Sequence, residues 1–197
     1  MQQKSEIREH WEAETCGTRD GQLSEIREAR YRYIPEIPAF ADFKRAKGKR
    51  VLEIGVGAGT DFSHWVAAEA DAYGIDLTDA AIRTTREHLR AIGLSVPGDH
   101  LRRGDAESLD FADETFDLVW SWGVLHHSPD TAAAFGQVYR VLKPGGVVKA
   151  MVYHSRSWTT LFYWTRFALM RGKPMQSPRG IIATHMESPH TKVYSVN

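Results

Sequence analysis

Residues 51–60 read Val-Leu-Glu-Ile-Gly-Val-Gly-Ala-Gly-Thr, a short aliphatic run that leads directly into three glycines at alternate positions. The run predicts a buried β-strand, and the spacing of Phe62, Trp65 and Val66 after it predicts a helix. Glycines between a strand and a helix permit positive φ angles and allow a ligand to approach the backbone. Because the first N–H groups of a helix lack intrahelical partners, such a turn can bind a nucleotide-like cofactor.

The spacing of these glycines separates two classes of cofactor. Dinucleotide sites favour Gly-x-Gly-x-x-Gly, whereas Gly55, Gly57 and Gly59 alternate behind Glu53. A carboxylate at Glu53 would repel a phosphate but attract the cationic amino group of an amino-acid-bearing ligand. The motif matches Asp/Glu-x-Gly-x-Gly-x-Gly, and here the chain resembles the class I S-adenosylmethionine-dependent methyltransferases. A turn that only packs a helix on a sheet is the structural alternative, and a nicotinamide-dependent oxidoreductase is disfavoured by the spacing.

The resemblance extends from about residue 11 to residue 157 and is closest to the methyltransferase type 11-like branch that includes the ubiquinone and menaquinone C-methyltransferases. Residues 105–107, 123–127 and 142–146 carry it, with the sequences Asp-Ala-Glu, Gly-Val-Leu-His-His and Leu-Lys-Pro-Gly-Gly. It implies S-adenosylmethionine as cofactor, S-adenosylhomocysteine as product and a small molecule as methyl acceptor. The branch methylates carbon, oxygen and nitrogen, so the acceptor itself is not implied.

The predicted cofactor contacts follow the ends of the predicted strands. Asp76 lies twenty-one positions after Gly55 and can accept both ribose hydroxyls of an adenosine. The alternative, a helix N-cap, is weakened because Thr78 supplies that cap. The resemblance implies that Asp105 and Ala106 meet the adenine and that the fourth strand ends beside the methionine half. The full predicted set is Glu53, Gly55, Gly57, Gly59, Asp76, Leu77, Asp105, Ala106, Ser121 and Trp122.

A general base is needed only if the acceptor must lose a proton. The candidates at predicted strand exits are His127, His126 and Tyr153, together with His154. Loop packing is the commoner use of such a histidine pair, and both interpretations stay open. The sequence predicts no metal site.

Strand and helix patterns alternate along the chain, which predicts an α/β protein with a doubly wound, mostly parallel sheet of the Rossmann-like methyltransferase fold. The predicted strands are 51–54, 72–76, 100–103, 116–121 and 147–153, and the predicted helices between them are 60–69, 78–92 and 131–142. We predict three regions: a helical cap over 1–48 that includes the apolar residues Ile7, Trp11 and Ile26, an S-adenosylmethionine-binding core over 49–154, and an aromatic helix with an irregular tail over 155–197.

The predicted C-terminus is short for this fold, because the two strands that usually follow the fifth are missing. A truncated, catalytically incomplete cofactor-binding domain is therefore the alternative function. The fifth strand would be an exposed sheet edge, which a second copy of the chain or the chain's own tail could cover. Of these, we favour a homodimer.

The helix predicted over 155–170 is rich in aromatic residues. Trp158, Leu161, Phe162 and Thr165 share one face, which predicts that this face packs in the core. The alternative is that Tyr31, Arg32 and Tyr33 of the cap line an acceptor pocket together with three aromatic residues of this helix, Trp158, Phe162 and Trp164.

Composition limits the partners and the compartment. The 197 residues carry 25 Lys+Arg and 25 Asp+Glu, so a zero formal net charge does not favour nucleic acid. The single cysteine, Cys16, excludes an internal disulfide, and no apolar signal region opens the chain, which predicts a cytoplasmic protein. The apolar stretch 158–170 is shorter than the roughly 20 residues that span a bilayer. We therefore expect no stable membrane insertion, and at most contact with a membrane surface or an apolar substrate.

Overall fold

The computed structural model describes residues 2–15, 30–186, 188 and 190–195. Within them one sheet contains five strands: β1 (Arg50–Ile54), β2 (Asp71–Asp76), β3 (Leu101–Arg103), β4 (Phe116–Trp122) and β5 (Leu142–Met151). Their spatial order is β3-β2-β1-β4-β5, and all neighbouring strands are parallel. The predicted parallel α/β fold is confirmed.

Helices precede, connect and follow these strands. The described α-helices are α1 (Gln2–Ala13), α2 (Glu36–Ala41), α3 (Thr60–Ala67), α4 (Asp79–Ala91), α5 (Thr131–Val141), α6 (Trp158–Phe167) and α7 (Pro178–His185). Residues 30–33 are also helical. Short 3-10 turns lie at Phe43–Ala46, Gly98–His100, Leu125–His127 and Leu169–Arg171. The described parts of the predicted cap, 2–15 and 30–48, are therefore mainly helical, and Ile26 lies outside the described residues.

Two apolar clusters cover the two faces of the sheet. Phe62, Trp65 and Trp120 belong to the cluster on one face, and Ile75 and Phe116 belong to the cluster on the other. The central strand β1 contributes to both clusters, which explains why its sequence is an almost continuous aliphatic run.

The fifth strand begins earlier than its sequence predicts. Residues 142–146 read as a helix stop followed by a glycine turn, but α5 ends at Val141 and Leu142 already pairs with Phe116 of β4. The register shifts before Leu118 pairs with Val147, and Gly145 has a φ of +77°. A bulge therefore absorbs the Pro-Gly-Gly segment within the strand.

The outer position of β5 agrees with the predicted sheet edge. Val147 and Val148 are 50% and 42% exposed. The tail pairs with the chain just beyond this strand, where the Tyr194 N–H donates to the Tyr153 carbonyl at 2.8 Å and the Ser155 N–H donates to the Tyr194 carbonyl at 2.7 Å. The tail thus covers one end of the edge, while the homodimer stays a prediction.

The prediction that the face of α6 with Trp158 and Phe162 packs in the core is wrong. Trp158 is 85% exposed and Phe162 is 60% exposed, whereas Thr160 is buried. Tyr163, on another side of the helix, packs against a cluster formed by Ile182, Met186 and Val193. The helix therefore turns the opposite side inward.

A second helix, α7, occupies part of the region predicted as an irregular tail. Pro178 stands in its first turn, where a missing N–H costs nothing. Ser177 caps it by accepting a hydrogen bond from the Gly180 N–H at 3.1 Å.

Among the described residues, no helix combines the length and the apolar character needed to cross a membrane. The predicted cytoplasmic location stays a prediction.

Candidate functional site

A cavity of about 380 Å³ lies where the carboxyl ends of β1, β2, β3 and β4 meet. Ligands of open parallel sheets bind at this edge, because the loops that leave the strands converge there. Residues of the helical cap close the cavity from the other side, among them Ile7, Trp11, Tyr33 and Ile34.

Most of the predicted site residues line this cavity. They are Glu53, Gly55, Gly57, Asp76, Leu77, Asp105, Ala106, Trp122, His127 and Tyr153. The four strand ends thus bring together residues that are far apart in sequence. Their individual roles stay predictions.

Three other predicted residues do not line the cavity. Gly59 lies directly before α3 with a φ of +79°, and a Cβ there would lie 2.7 Å from Thr85 Cγ2, so its glycine is required by packing. The Ser121 hydroxyl donates to the Ile54 carbonyl at 3.2 Å and joins β4 to β1. His126 is fully buried and packs against the ring of Tyr153 at a centroid distance of 4.3 Å.

Asp76 is fixed by the turns on both sides of it. One carboxylate oxygen accepts from the Thr78 N–H at 3.0 Å and the Thr78 hydroxyl at 2.8 Å, and the other accepts from the Gly57 N–H at 3.2 Å. Burial raises the pKa of Asp76, although these hydrogen bonds act in the opposite direction. Thr78 is the N-cap of α4, so the structure assigns the cap to Thr78. Asp76 lines the cavity with these bonds in place.

Glu53 is a buried carboxylate at the end of β1. Its Oε2 atom has no hydrogen-bond partner within the described part of the chain. Burial raises the pKa of Glu53 well above its ordinary value, the nearby Asp61 raises it further, and Arg30 opposes both. Because Glu53 lines the cavity, a buried carboxyl group of this kind fits a cationic or hydrogen-donating group of a ligand.

Asp61, in the first turn of α3, connects the cap to the sheet. It is 3% exposed and accepts from Arg30 through Nε at 3.1 Å and Nη2 at 2.8 Å. The Tyr31 hydroxyl and the Trp120 indole N–H donate to the same carboxylate at 3.0 and 3.2 Å. Burial, with Asp61 as the next cause, raises the pKa of Tyr31. Asp61 is not among the residues predicted from the sequence, although an acid in the first turn of a helix is a recognisable signal.

Helix α1 is attached on both sides of the cavity mouth. Lys4 donates to Asp105 at 2.7 Å and also to Glu107. Glu12 accepts from the N–H groups of Asp79 and Ala80, at the start of α4, at 3.0 and 3.1 Å. The helix therefore contacts the loops that follow β2 and β3, beside the predicted adenosine contacts.

The tail holds the ring of His127. His127 Nδ1 lies 2.8 Å from the Ser188 hydroxyl and 3.2 Å from the Thr191 hydroxyl. Thr191 Oγ1 also lies 2.8 Å from the Ser188 carbonyl and 3.1 Å from that of Met186. The two hydroxyls therefore fix the orientation of the ring through Nδ1, and Nε2 is buried.

Neither tail hydroxyl was predicted from sequence. Ser188 and Thr191 are more than sixty positions from His127, and no local pattern relates them to it. His154, the remaining base candidate, is exposed and does not line the cavity.

The aromatic residues proposed as acceptor walls separate into two groups. Tyr33 lines the cavity, whereas Trp158, Phe162 and Trp164 do not. Apolar side chains from the sheet complete the wall, namely Trp120, Trp122, Val124 and Met151. The cavity therefore has a polar end with Glu53 and Asp76, and an apolar wall shared by cap and sheet.

Comparison with known proteins identifies similar sequences. A family described as methyltransferase domain matches residues 52–149. A phosphatidylethanolamine N-methyltransferase from Cereibacter sphaeroides is 37% identical over 114 residues, which cover 56% of this chain and 54% of that protein. A ubiquinone biosynthesis O-methyltransferase from Methylococcus capsulatus is 37% identical over 102 residues, which cover 51% of this chain and 42% of that protein.

Solved structures show the same fold. The PH0226 protein from Pyrococcus horikoshii is 28% identical, with a TM-score of 0.54 over 62% of this chain and 57% of that one. The chain spans about half the length of the curated relatives that it matches. The family match at 52–149 spans the sheet from β1 into β5 and the loops that follow β1 to β4, but not the helical cap.

Proposed function

The chain belongs to the family of methyltransferase domains through residues 52–149, and we propose that it transfers a methyl group from S-adenosylmethionine to a small-molecule acceptor. One observation carries this proposal: the buried Glu53 and the half-buried Asp76, at the ends of neighbouring strands, both line one cavity beside the glycine turn. In their ionised forms these groups would repel a pyrophosphate, whereas an ammonium group would stabilise the charge of Glu53 and a ribose hydroxyl can donate to Asp76.

The residues of the cavity fit this cofactor. Glu53, whose Oε2 lacks a partner among the described residues, would hold the amino group. Asp76 would accept from the ribose, and Asp105 with the Ala106 N–H would meet the adenine. When bound, S-adenosylmethionine supplies an electrophilic methyl group on a positively charged sulfur.

Methyl transfer requires alignment and water exclusion more than covalent catalysis. Trp11 and Tyr33 of the cap, with Trp122 and Met151 of the sheet, would exclude water and hold an apolar part of the acceptor. If the acceptor loses a proton, His127 is the candidate base, because it lines the cavity at the end of β4.

The direct test is transfer of a labelled methyl group. The full chain is incubated with methyl-labelled S-adenosylmethionine and a panel of phenols, amines, carboxylic acids and lipid acceptors, and product label is counted. We expect label in one chemical class of acceptor, and loss of that label in Asp76→Asn. Cofactor binding without transfer to any acceptor would instead favour the catalytically incomplete cofactor-binding domain.

A further inference from the structure

One surface of the C-terminal region combines exposed apolar and cationic side chains. We call it the α6 face and define it by two sets of exposed residues between 156 and 179. The apolar set is Trp158, Leu161, Phe162, Leu169, Met170 and Met175. The cationic set is Arg156, Arg166, Arg171, Lys173 and Arg179. Single exposed apolar residues are ordinary, but this many within so short a segment indicates an interaction site.

Three large apolar side chains of the α6 face are largely exposed. Trp158 is 85% exposed, Met170 is 76% exposed and Met175 is 96% exposed. Tryptophan and methionine are enriched where proteins contact partners or membranes, because both offer large, adaptable apolar surfaces.

The α6 face is supported by a folded platform. The Trp164 indole N–H donates to the Gln176 carbonyl at 2.9 Å, which returns the segment after α6 to that helix. Phe167 stacks on His185 of α7 at a centroid distance of 4.3 Å. Met170 and Met175 are thus presented beside α6.

The C-terminal region carries only positive formal charges. Residues 131–186 contain eight of the chain's 25 lysines and arginines and none of its 25 acidic residues. The rest of the chain therefore has a formal net charge of −8, which the zero net charge of the whole conceals. A partner of this face must present negative charge together with apolar material.

We propose that the α6 face binds the surface of a bilayer that contains anionic phospholipids. Tryptophan, phenylalanine and methionine side chains enter the boundary between headgroups and acyl chains, and arginine and lysine remain at the level of the anionic headgroups. A second copy of the chain fits less well, because a two-fold contact through this face would bring two sets of five cations together without a carboxylate.

The α6 face is also coupled to the cavity by packing. Tyr163 of α6 and Tyr153, which lines the cavity, pack against the same cluster of Ile182, Met186 and Val193. Binding through this face would therefore place the cavity near the bilayer surface. Membrane binding requires neither cofactor nor methyl transfer, so it can be tested independently of the proposed function.

The test is cosedimentation of the full chain with vesicles of phosphatidylcholine alone or mixed with phosphatidylglycerol. We expect binding to the mixed vesicles that weakens as salt is raised. Each surface cation contributes about a fivefold factor to binding, so the triple variant R166Q, R171Q and K173Q should bind about a hundredfold more weakly. A matched variant, K44Q, K49Q and R90Q, removes three exposed cations elsewhere and should bind unchanged.

A second measurement tests the apolar contact. Brominated lipids should quench the fluorescence of the chain on binding, and W158F should lose part of this quenching. Equal binding to neutral and anionic vesicles, or an equal loss in the two triple variants, would overturn the proposal. So would a dimer in light scattering that dissociates when Trp158 and Phe162 are both replaced by serine, together with no binding to vesicles.

Discussion

Asp76→Asn is the substitution that most sharply tests the ribose assignment. The side chain keeps its size but loses its charge, and its amide nitrogen must face either a donor of Thr78 or the Gly57 N–H, which now lies 3.2 Å from the carboxylate. A hydrogen bond to a charged group contributes about 1.5 to 3 kcal/mol, so losing one such bond to a ribose hydroxyl should weaken binding by about 10- to 150-fold. Equilibrium dialysis with labelled S-adenosylhomocysteine measures this change.

Asp71→Asn is the matched control. Asp71 begins the same strand, at the end away from the cavity, and pairs with Arg50 at 2.8 Å on the surface. Such exposed pairs contribute about 0 to 1 kcal/mol, and this one is far from the predicted ligand. We expect Asp71→Asn to bind like the unmodified chain. An unchanged dissociation constant for a folded Asp76→Asn would refute the ribose assignment.

Further predictions concern the cap, the buried glutamate and the histidine. Asp61→Asn should lower the free energy of unfolding in urea by about 1.5 to 3 kcal/mol, because the cap loses a charge-assisted bond to Arg30; unchanged stability would contradict the role of Asp61. Burial raises the folded-state pKa of Glu53, so the folded chain holds this proton more tightly and should lose stability as pH rises from the ordinary glutamate pKa through the raised value. Glu53→Gln should not lose stability in this pH range. If the free energy of unfolding depends on pH identically in Glu53→Gln and in the unmodified chain, the raised pKa of Glu53 is contradicted. His127→Asn should lower turnover without changing cofactor affinity. Thr191→Val should lower turnover less, and Thr191→Ser should restore it. Full activity of His127→Asn would show that the ring of His127 only packs in the structure.

The sheet and its glycine turn were predictable because their signals are local. Parallel strands buried on both faces need apolar runs, and residues 51–54 supply one that only Glu53 interrupts. The turn after β1 requires positive φ at alternate positions, which only glycine adopts readily, and Gly55, Gly57 and Gly59 all have it.

The packing of the C-terminal helices could not be predicted from local sequence signals. Periodicity identified Trp158 and Phe162 as members of one face of α6, but it does not tell which face turns inward. That choice depends on α7, which was not predicted because the prolines of this segment, Pro178 among them, resemble helix breakers. A proline in the first turn of a helix, directly after a serine N-cap, does not interrupt the helix.

The surroundings of His127 were not predictable for a different reason. The histidine itself could be identified beside the fourth strand, but the hydroxyls that hold its ring come from residues 188 and 191. Contacts across such a separation depend on the complete fold. The same holds for Lys4 and Asp105, which lie 101 positions apart.

The central claim, that this cavity binds S-adenosylmethionine, is tested most directly by calorimetric titration of the full chain. S-adenosylmethionine and S-adenosylhomocysteine should each bind saturably to one site per chain, and an excess of NAD should not displace either of them. Absence of binding by both ligands to the folded chain, or displacement by NAD, would contradict the account.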